Sequence, residues 1–145
     1  MTEERKKELS ENYARVLEMI EAAKKTRGGD KPVTLLAATK TVPAEDICYL
    51  IENCGLKLCG ENHAQEFTDK YDAVRAAGGE MDFIGHLQTN KVKYIVGKAR
   101  LIHSLDSIKL AEEINSRAEK LGVEQKVLVE VNIGEEENKT GVNPG

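Results

Sequence analysis

Apolar runs and amphipathic stretches alternate along the chain. The first apolar run, 33–40, consists of seven uncharged residues followed by Lys40. Such a run is typical of a strand that is covered on both faces in a parallel sheet. Four further runs predict strands at 56–59, 82–86, 101–104 and 126–133. A helix-like stretch precedes each strand, and this alternation indicates parallel strands joined by helical crossovers.

The helical stretches have recognisable ends. The first helix is predicted from about Thr2 to Arg27, with an apolar stripe at Leu9, Tyr13, Val16, Leu17, Ile20 and Ala23. Pro43 suits the start of the second helix. Asn62 is predicted to cap the third helix, with Gln65 at the capping-box position, and Asp106 to cap the fifth.

Alternation within the fifth strand separates its two faces. One face is uniformly apolar and is expected to lie under helices: Val127, Val129, Val131 and Ile133. The other face carries Glu130 and Asn132, and the same parity places Lys40 of the first strand on that side. These polar residues favour the interior of a barrel near its mouth, because an unpaired buried charge in an open sheet is costly. Two architectures remain, an open doubly wound sheet or part of a (β/α)₈ barrel.

Composition narrows the class of protein. Of the 145 residues, 40% are hydrophobic and 32% are charged, and the net charge of −4 is spread over both signs. We therefore expect a single domain over 1–145, with no nucleic-acid or membrane partner. No signal peptide or membrane-spanning run is found, which favours a cytoplasmic protein. The three cysteines form no metal pattern and are expected to be reduced thiols.

Lys40 is the main candidate for chemistry. It follows an apolar strand, and the carboxyl ends of parallel strands are where α/β proteins usually place their sites. A lysine amine can form a Schiff base with an aldehyde. Alternatively, Lys40 is an ordinary lysine that extends from the strand end into solvent. His86 ends the third strand but has no metal-ligand spacing to another histidine, so no metal site is expected.

Six segments together carry a resemblance. They are 37–43, 60–66, 83–91, 103–106, 129–133 and 138–141, and the most diagnostic are Gly60-Glu61-Asn62 and Ile84-Gly85-His86-Leu87-Gln88 with Asn90-Lys91. In these segments the sequence resembles the pyridoxal-phosphate homeostasis protein family, whose members bind pyridoxal 5'-phosphate (PLP). The resemblance implies a parallel (β/α)₈ barrel of the TIM type, like the N-terminal domain of alanine racemase.

The resemblance also implies a site and a function. Lys40 would hold PLP as a Schiff base, and Asn62, His86 and Asn132 would line the cofactor pocket. Lys139 is a candidate second lysine for PLP. The implied function is PLP (vitamin B6) homeostasis, by holding PLP and delivering it to apoenzymes without an established turnover reaction. The full-length form is expected to be a monomer.

One departure from the family lies at the C-terminus. The sequence ends in the segment after the fifth strand, whereas family members continue through three more βα units that hold the PLP phosphate. We therefore expect a barrel truncated after its fifth strand, with weak retention of PLP. The alternatives are a PLP-dependent enzyme of the amino-acid racemase type, a Schiff-base lyase that uses Lys40 without PLP, and a truncated domain that retains no cofactor.

Overall fold

The computed structural model describes residues 1–134, 137 and 140–144. In this part of the chain, one parallel sheet is formed by Ala37–Ala38 (β1), Leu58–Glu61 (β2), Glu80–Phe83 (β3), Ile102–Leu105 (β4) and Val127–Val129 (β5). The helices are Glu3–Arg27 (α1), Ala44–Cys54 (α2), Ala64–Ala76 (α3), Val92–Ile95 (α4) and Ile108–Leu121 (α5), and a 3₁₀ turn, Thr89–Lys91, leads into α4.

The strand order decides between the two architectures. The strands lie in the sheet in chain order, β1-β2-β3-β4-β5, and each pair is parallel. A doubly wound sheet reverses its strand order and carries helices on both faces. Here each helix contacts the next one along the chain, from α1 to α5. The fold is therefore α/β with five parallel strands alternating with helices, a partial TIM-barrel arrangement, as predicted.

The core lies between the sheet and the helices. Cys59, Met81, Phe83 and Ile102 supply the sheet side of one continuous apolar cluster. Residues of α2, α3, α4 and α5 supply the other side, which places these four helices on one face of the sheet. Phe67 of α3 is fully buried there, with its ring centroid 6.3 Å from that of Phe83.

The helix caps differ from two of the predictions. Strand β2 continues through Glu61, so α3 begins at Ala64 and its N-cap is His63, which makes no side-chain capping bond. The predicted cap at Asn62 is therefore wrong. Helix α5 is capped one residue later than predicted, by Ser107, whose hydroxyl accepts a hydrogen bond from the N–H of Leu110.

Helix α1 has the predicted span but not a buried stripe. None of its residues is buried, and Val16 and Leu17 are both exposed. Its first turns are held by polar contacts instead, since the Arg5 guanidinium donates to Asp46 at 2.8 and 3.0 Å. Periodicity identified the helix correctly, and Tyr13 packs against the core as a partly buried residue.

The two edge strands are shorter than predicted. Only 37–38 of the run 33–40 pairs as a strand, and β5 ends at Val129. Val127 packs against the core, but the rest of the apolar face of the fifth strand is not covered by the described helices, because Val129 is 60% and Ile133 is 82% exposed. An edge strand has a ladder partner on one side only, so apolar sequence alone does not determine its length. No described helix has the length and apolar character that crossing a membrane requires.

Candidate functional site

A cavity of about 490 Å³ lies at the carboxyl ends of β1, β2 and β3. Its walls include Lys40, Asn62 and His86, each located just after one of these strands. Lys91 and the first turn of α3 complete part of the wall. The structure thus brings together three residues that the sequence placed at separate strand ends.

Lys40 stands in a turn with an unusual backbone. Thr39 before it is buried, whereas Lys40 itself is exposed. Thr41 after it has a φ of 64°, the only positive φ of a non-glycine residue in the described part of the chain. A β-branched residue rarely adopts this left-handed conformation, because its side chain crowds the backbone. The turn after β1 is therefore held by its surroundings.

Two hydrogen bonds from α3 hold this turn, one on each side of Lys40. The ammonium of Lys70 donates to the carbonyl oxygen of Thr39 at 2.9 Å. The backbone N–H of Thr41 donates to Oε2 of Glu66 at 2.8 Å. Both contacts come from successive turns of one helix face, since residues four apart on a helix are neighbours.

Lys70 connects these bonds to a buried carboxylate in β2. Its Nζ lies 2.9 Å from Oε1 of Glu61 and 3.0 Å from Oε2 of Glu66. Glu61 is fully buried, and Lys70 is 8% exposed. Burial alone would lower the pKa of Lys70, but its hydrogen bonds to the two carboxylates outweigh this and raise it. The backbone N–H of Thr41, together with Lys70, lowers the pKa of Glu66.

Sequence reasoning missed this charged cluster. Two signals for it were present: Glu66 and Lys70 stand four residues apart on a predicted helix, and Glu61 has the same strand parity as Cys59 of the predicted strand 56–59. What the sequence could not show is that a helix-facing position of β2 would bring Glu61 to Lys70. We refer to Glu61, Lys70 and Glu66 below as the clamp.

Asn62 presents an unused acceptor in the wall of the cavity. Its Oδ1 is buried and has no hydrogen-bond partner. Buried polar atoms are normally paired, so this oxygen is available to accept a hydrogen bond from a ligand. Gly85 packs directly against the backbone of Asn62, and a Cβ at Gly85 would collide with its carbonyl group. The missing side chain at residue 85 therefore lets the two loops meet.

A carboxylate from the neighbouring strand end lies close to His86. Nδ1 of His86 is 3.5 Å from Oδ2 of Asp106, which follows β4. The histidine side chain is about half exposed and lines the cavity, while Asp106 is largely covered. His86 is therefore accessible to a ligand in the cavity, with an acidic group beside its ring.

Asn132 is not among the residues lining the cavity, although the sequence placed it on the same face as Lys40. Its backbone N–H donates to the carbonyl of Val142. Glu130, on the same predicted face, accepts a hydrogen bond from the hydroxyl of Thr140 at 2.7 Å. Lys139 lies outside the described residues.

A second cluster of charges lies away from the cavity. The buried carboxylate of Asp82 accepts hydrogen bonds from Arg100 at 2.6 and 2.8 Å and lies 2.8 Å from Nε2 of His103. The Asp82 carboxylate raises the pKa of Arg100. This pairing gives His103 a structural partner. In the described part of the chain, no group of three acidic, histidine or cysteine residues is arranged to hold a metal ion.

Comparison with known proteins identifies the family of this chain. The chain is 53% identical to the pyridoxal phosphate homeostasis protein of Aquifex aeolicus over 92% of its length. It is 34% identical to the protein of the same name from Escherichia coli K12 over 93% of its length. The chain belongs to the pyridoxal phosphate homeostasis protein family. It spans 59% of the length of each of these two curated relatives, and no family model matches it.

Solved structures share the fold. A crystal structure of an unknown protein from Bifidobacterium adolescentis superposes with a TM-score of 0.87 at 35% identity, over 99% of this chain and 62% of the other. The structure of PipY from Synechococcus elongatus with PLP bound has a TM-score of 0.68 at 29% identity, over 83% of this chain and 56% of the other. The cavity at the strand ends thus belongs to a fold that binds PLP in PipY.

Proposed function

We propose that the chain binds PLP covalently through Lys40 and that the protein acts in PLP homeostasis. The observation that carries this proposal is the cavity at the strand ends, which unites Lys40 with Asn62 and His86. Its volume falls within the range of about 300–1,000 Å³ that is typical of sites for small ligands. Family membership supplies the ligand, because PipY binds PLP.

The residues present fit the aldehyde half of PLP. Lys40 is exposed and lines the cavity, so its amine is accessible to a ligand there. Lys40 would hold PLP through its Nζ: the neutral amine would give up its two protons as it formed a C=N bond with the aldehyde carbon, and the aldehyde oxygen would leave with them as water. When bound, PLP supplies an electrophilic aldehyde and an electron-withdrawing ring.

Asn62 and His86 are proposed to orient the ligand without covalent contact. The unpaired Oδ1 of Asn62 would gain a hydrogen bond from a ligand hydroxyl group, which removes the cost of a buried unsatisfied acceptor. The ring of His86, which lies beside Asp106 and lines the cavity, would offer a ring nitrogen to the ligand. Asn132 and Lys139 remain predicted contacts, with Lys139 as a second lysine for PLP.

For the whole protein we propose a carrier role. It would hold PLP in the cytoplasm, release it to apoenzymes and catalyse no turnover of its own, acting as a monomer without nucleic-acid or membrane partners. A reversible covalent bond suits such a role, since hydrolysis of the C=N bond returns the free aldehyde and the free amine of Lys40.

Borohydride fixation tests the assignment of Lys40. The chain is mixed with PLP, reduced, digested and analysed by mass spectrometry for the modified lysine. We expect the adduct on Lys40 and its loss in Lys40→Ala. Lys91→Ala is the matched control, because Lys91 is another lysine in the same cavity wall and its removal should leave the adduct on Lys40. An adduct of equal yield at a different lysine in Lys40→Ala would overturn the assignment.

A further inference from the structure

We propose that the clamp, formed by Glu61, Lys70 and Glu66, consists of positioning residues that fix the backbone on both sides of Lys40 and so aim its amine into the cavity. This inference rests on the proposed function, in which the Lys40 amine reacts with an aldehyde. The clamp residues do not contact the ligand in this proposal, and they act only through Lys40.

The clamp is attached to the backbone on both sides of Lys40. Lys70 holds the carbonyl of Thr39, and Glu66 holds the N–H of Thr41, so the peptide units on either side of Lys40 are each tied to α3. In the described part of the chain, the Lys40 side chain forms no hydrogen bond or ion pair with the clamp. The backbone is thus restrained while the amine stays available.

Thr41, directly after Lys40, adopts a left-handed backbone conformation. Its φ of 64° is unfavourable for a β-branched residue. Such a conformation persists only where the surrounding structure determines it, and residues held this way are concentrated at functional sites. The bond from Thr41 N–H to Glu66 is a direct restraint of this kind.

The ion pair between Glu61 and Lys70 is buried. Glu61 has no exposed surface and Lys70 is nearly buried, so the ion pair that anchors the clamp is shielded from water. Hydrogen bonds inside a protein are stronger than those in water, and a fully satisfied polar network makes its surroundings rigid. Three elements, β1, β2 and α3, therefore meet at one rigid point beside Lys40.

Glu66 offers the sharpest variants because its side chain is partly exposed, so its replacement should not unfold the chain. Glu66→Ala removes the acceptor of the Thr41 N–H. Glu66→Gln retains an acceptor oxygen at the same position and should rescue the restraint. Asp69→Ala is the matched control: it removes a carboxylate from the same helix, and that carboxylate accepts a hydrogen bond from Gln65 instead.

The first measurement needs no PLP. Amide hydrogen exchange at Thr41 reports directly on the bond to Glu66, since protection reflects local opening. We expect exchange at Thr41 to accelerate about tenfold or more in Glu66→Ala, the loss of one well-formed local bond. Glu66→Gln and Asp69→Ala should retain most of the protection. Unchanged protection in Glu66→Ala would overturn the clamp.

The second measurement is the rate at which the adduct forms on Lys40. A small misplacement of a reacting group can cost about a hundredfold in rate, so we expect Glu66→Ala to slow adduct formation by about tenfold or more. Glu66→Gln should restore most of the rate, and Asp69→Ala should match the wild type. A purely structural role would change thermal stability without this pattern.

The outcomes separate this proposal from the one on which it rests. If the wild-type chain forms no adduct on Lys40, the proposed function fails, and the positioning role fails with it. If the adduct forms on Lys40 at the same rate in the wild type and in Glu66→Ala, the proposed function stands and the positioning role alone is overturned. Slower adduct formation with faster Thr41 exchange, both rescued by Glu66→Gln, supports the clamp.

Discussion

Lys70 reaches from α3 to the residue before Lys40, donating a hydrogen bond to the carbonyl oxygen of Thr39 at 2.9 Å. The same ammonium contacts Glu61, which is fully buried in β2. A buried ion pair therefore stands directly behind the turn that carries the proposed PLP lysine. The stability of the strand ends and the geometry of the site depend on the same side chains.

Removal of Lys70 should destabilise the chain strongly. Lys70→Met leaves the carboxylate of Glu61 buried without its partner, and breaking a buried ion pair in this way costs about 3–5 kcal/mol. Urea unfolding followed by circular dichroism measures the change in the free energy of unfolding. A loss below about 1 kcal/mol would place the pair in the class of exposed surface ion pairs and contradict the structure.

The double variant Lys70→Met/Glu61→Leu is the control for that measurement. An apolar pair of similar volume has no unpaired charge, and such replacements are often neutral or stabilising. We expect it to recover most of the stability lost in Lys70→Met. It should not recover the restraint on Thr39, because the donor to that carbonyl is absent.

Two glycines near the cavity should respond differently to alanine. In Gly85→Ala the new Cβ meets the backbone of Asn62, which cannot move without shifting the loop, so we expect a loss of about 3 kcal/mol or more. In Gly60→Ala the Cβ meets the ends of the Leu36 and Ile84 side chains, which can rotate, so we expect about 1 kcal/mol. Chemical denaturation of both variants tests the order, and equal losses would contradict it.

Sequence reasoning indicated residues of the cavity wall more readily than the contacts that support them. Lys40 and His86 stand at the ends of predicted strands, and parallel strands bring such ends together, whereas Asn62 was assigned to the pocket by the family resemblance. Asn132 stays a predicted contact, and its position depends on where an edge strand stops. Chain ends and edges have fewer partners, so local pattern determines them poorly.

The clamp shows a second limit of predicting this structure from the sequence. Period-two alternation places Glu61 on the helix-facing side of β2, where an apolar residue is the usual choice. A buried carboxylate at this position is stabilised because Lys70 of the next helix forms an ion pair with it, and this is a tertiary contact. The strand-helix alternation was enough to predict the fold class. The pairing of charges between a strand and a helix could be seen only in the three-dimensional structure.

The Cys59 thiol should resist labelling in the folded chain. It is 1% exposed, and burial raises its pKa to about 11. Since the thiolate is the reactive form, only about one thiol in a thousand would be ionised at about pH 8, even with access. In a variant with Cys48→Ser and Cys54→Ser, labelling with a disulfide reagent should be slow in buffer and fast in urea. Rapid labelling in buffer would contradict the burial of this residue.

Glu66 should give the chain a defined sensitivity to acid. Its pKa in the folded chain is lowered from the usual value of 4.5, mainly by the backbone N–H of Thr41 and then by Lys70. A carboxyl group with a lowered pKa stabilises the fold above its unfolded pKa, and this contribution is lost as the pH falls through the folded pKa.

Glu66→Gln keeps the hydrogen-bond acceptor but cannot ionise. The difference in the free energy of unfolding between the wild type and Glu66→Gln should therefore be constant at pH values above 4.5 and should shrink as the pH falls below 4.5. Urea unfolding of both proteins from about pH 7 to about pH 3 measures this difference. A difference that stays the same over the whole range would show that the charge of Glu66 does not act on Thr41 and Lys70 as the structure indicates.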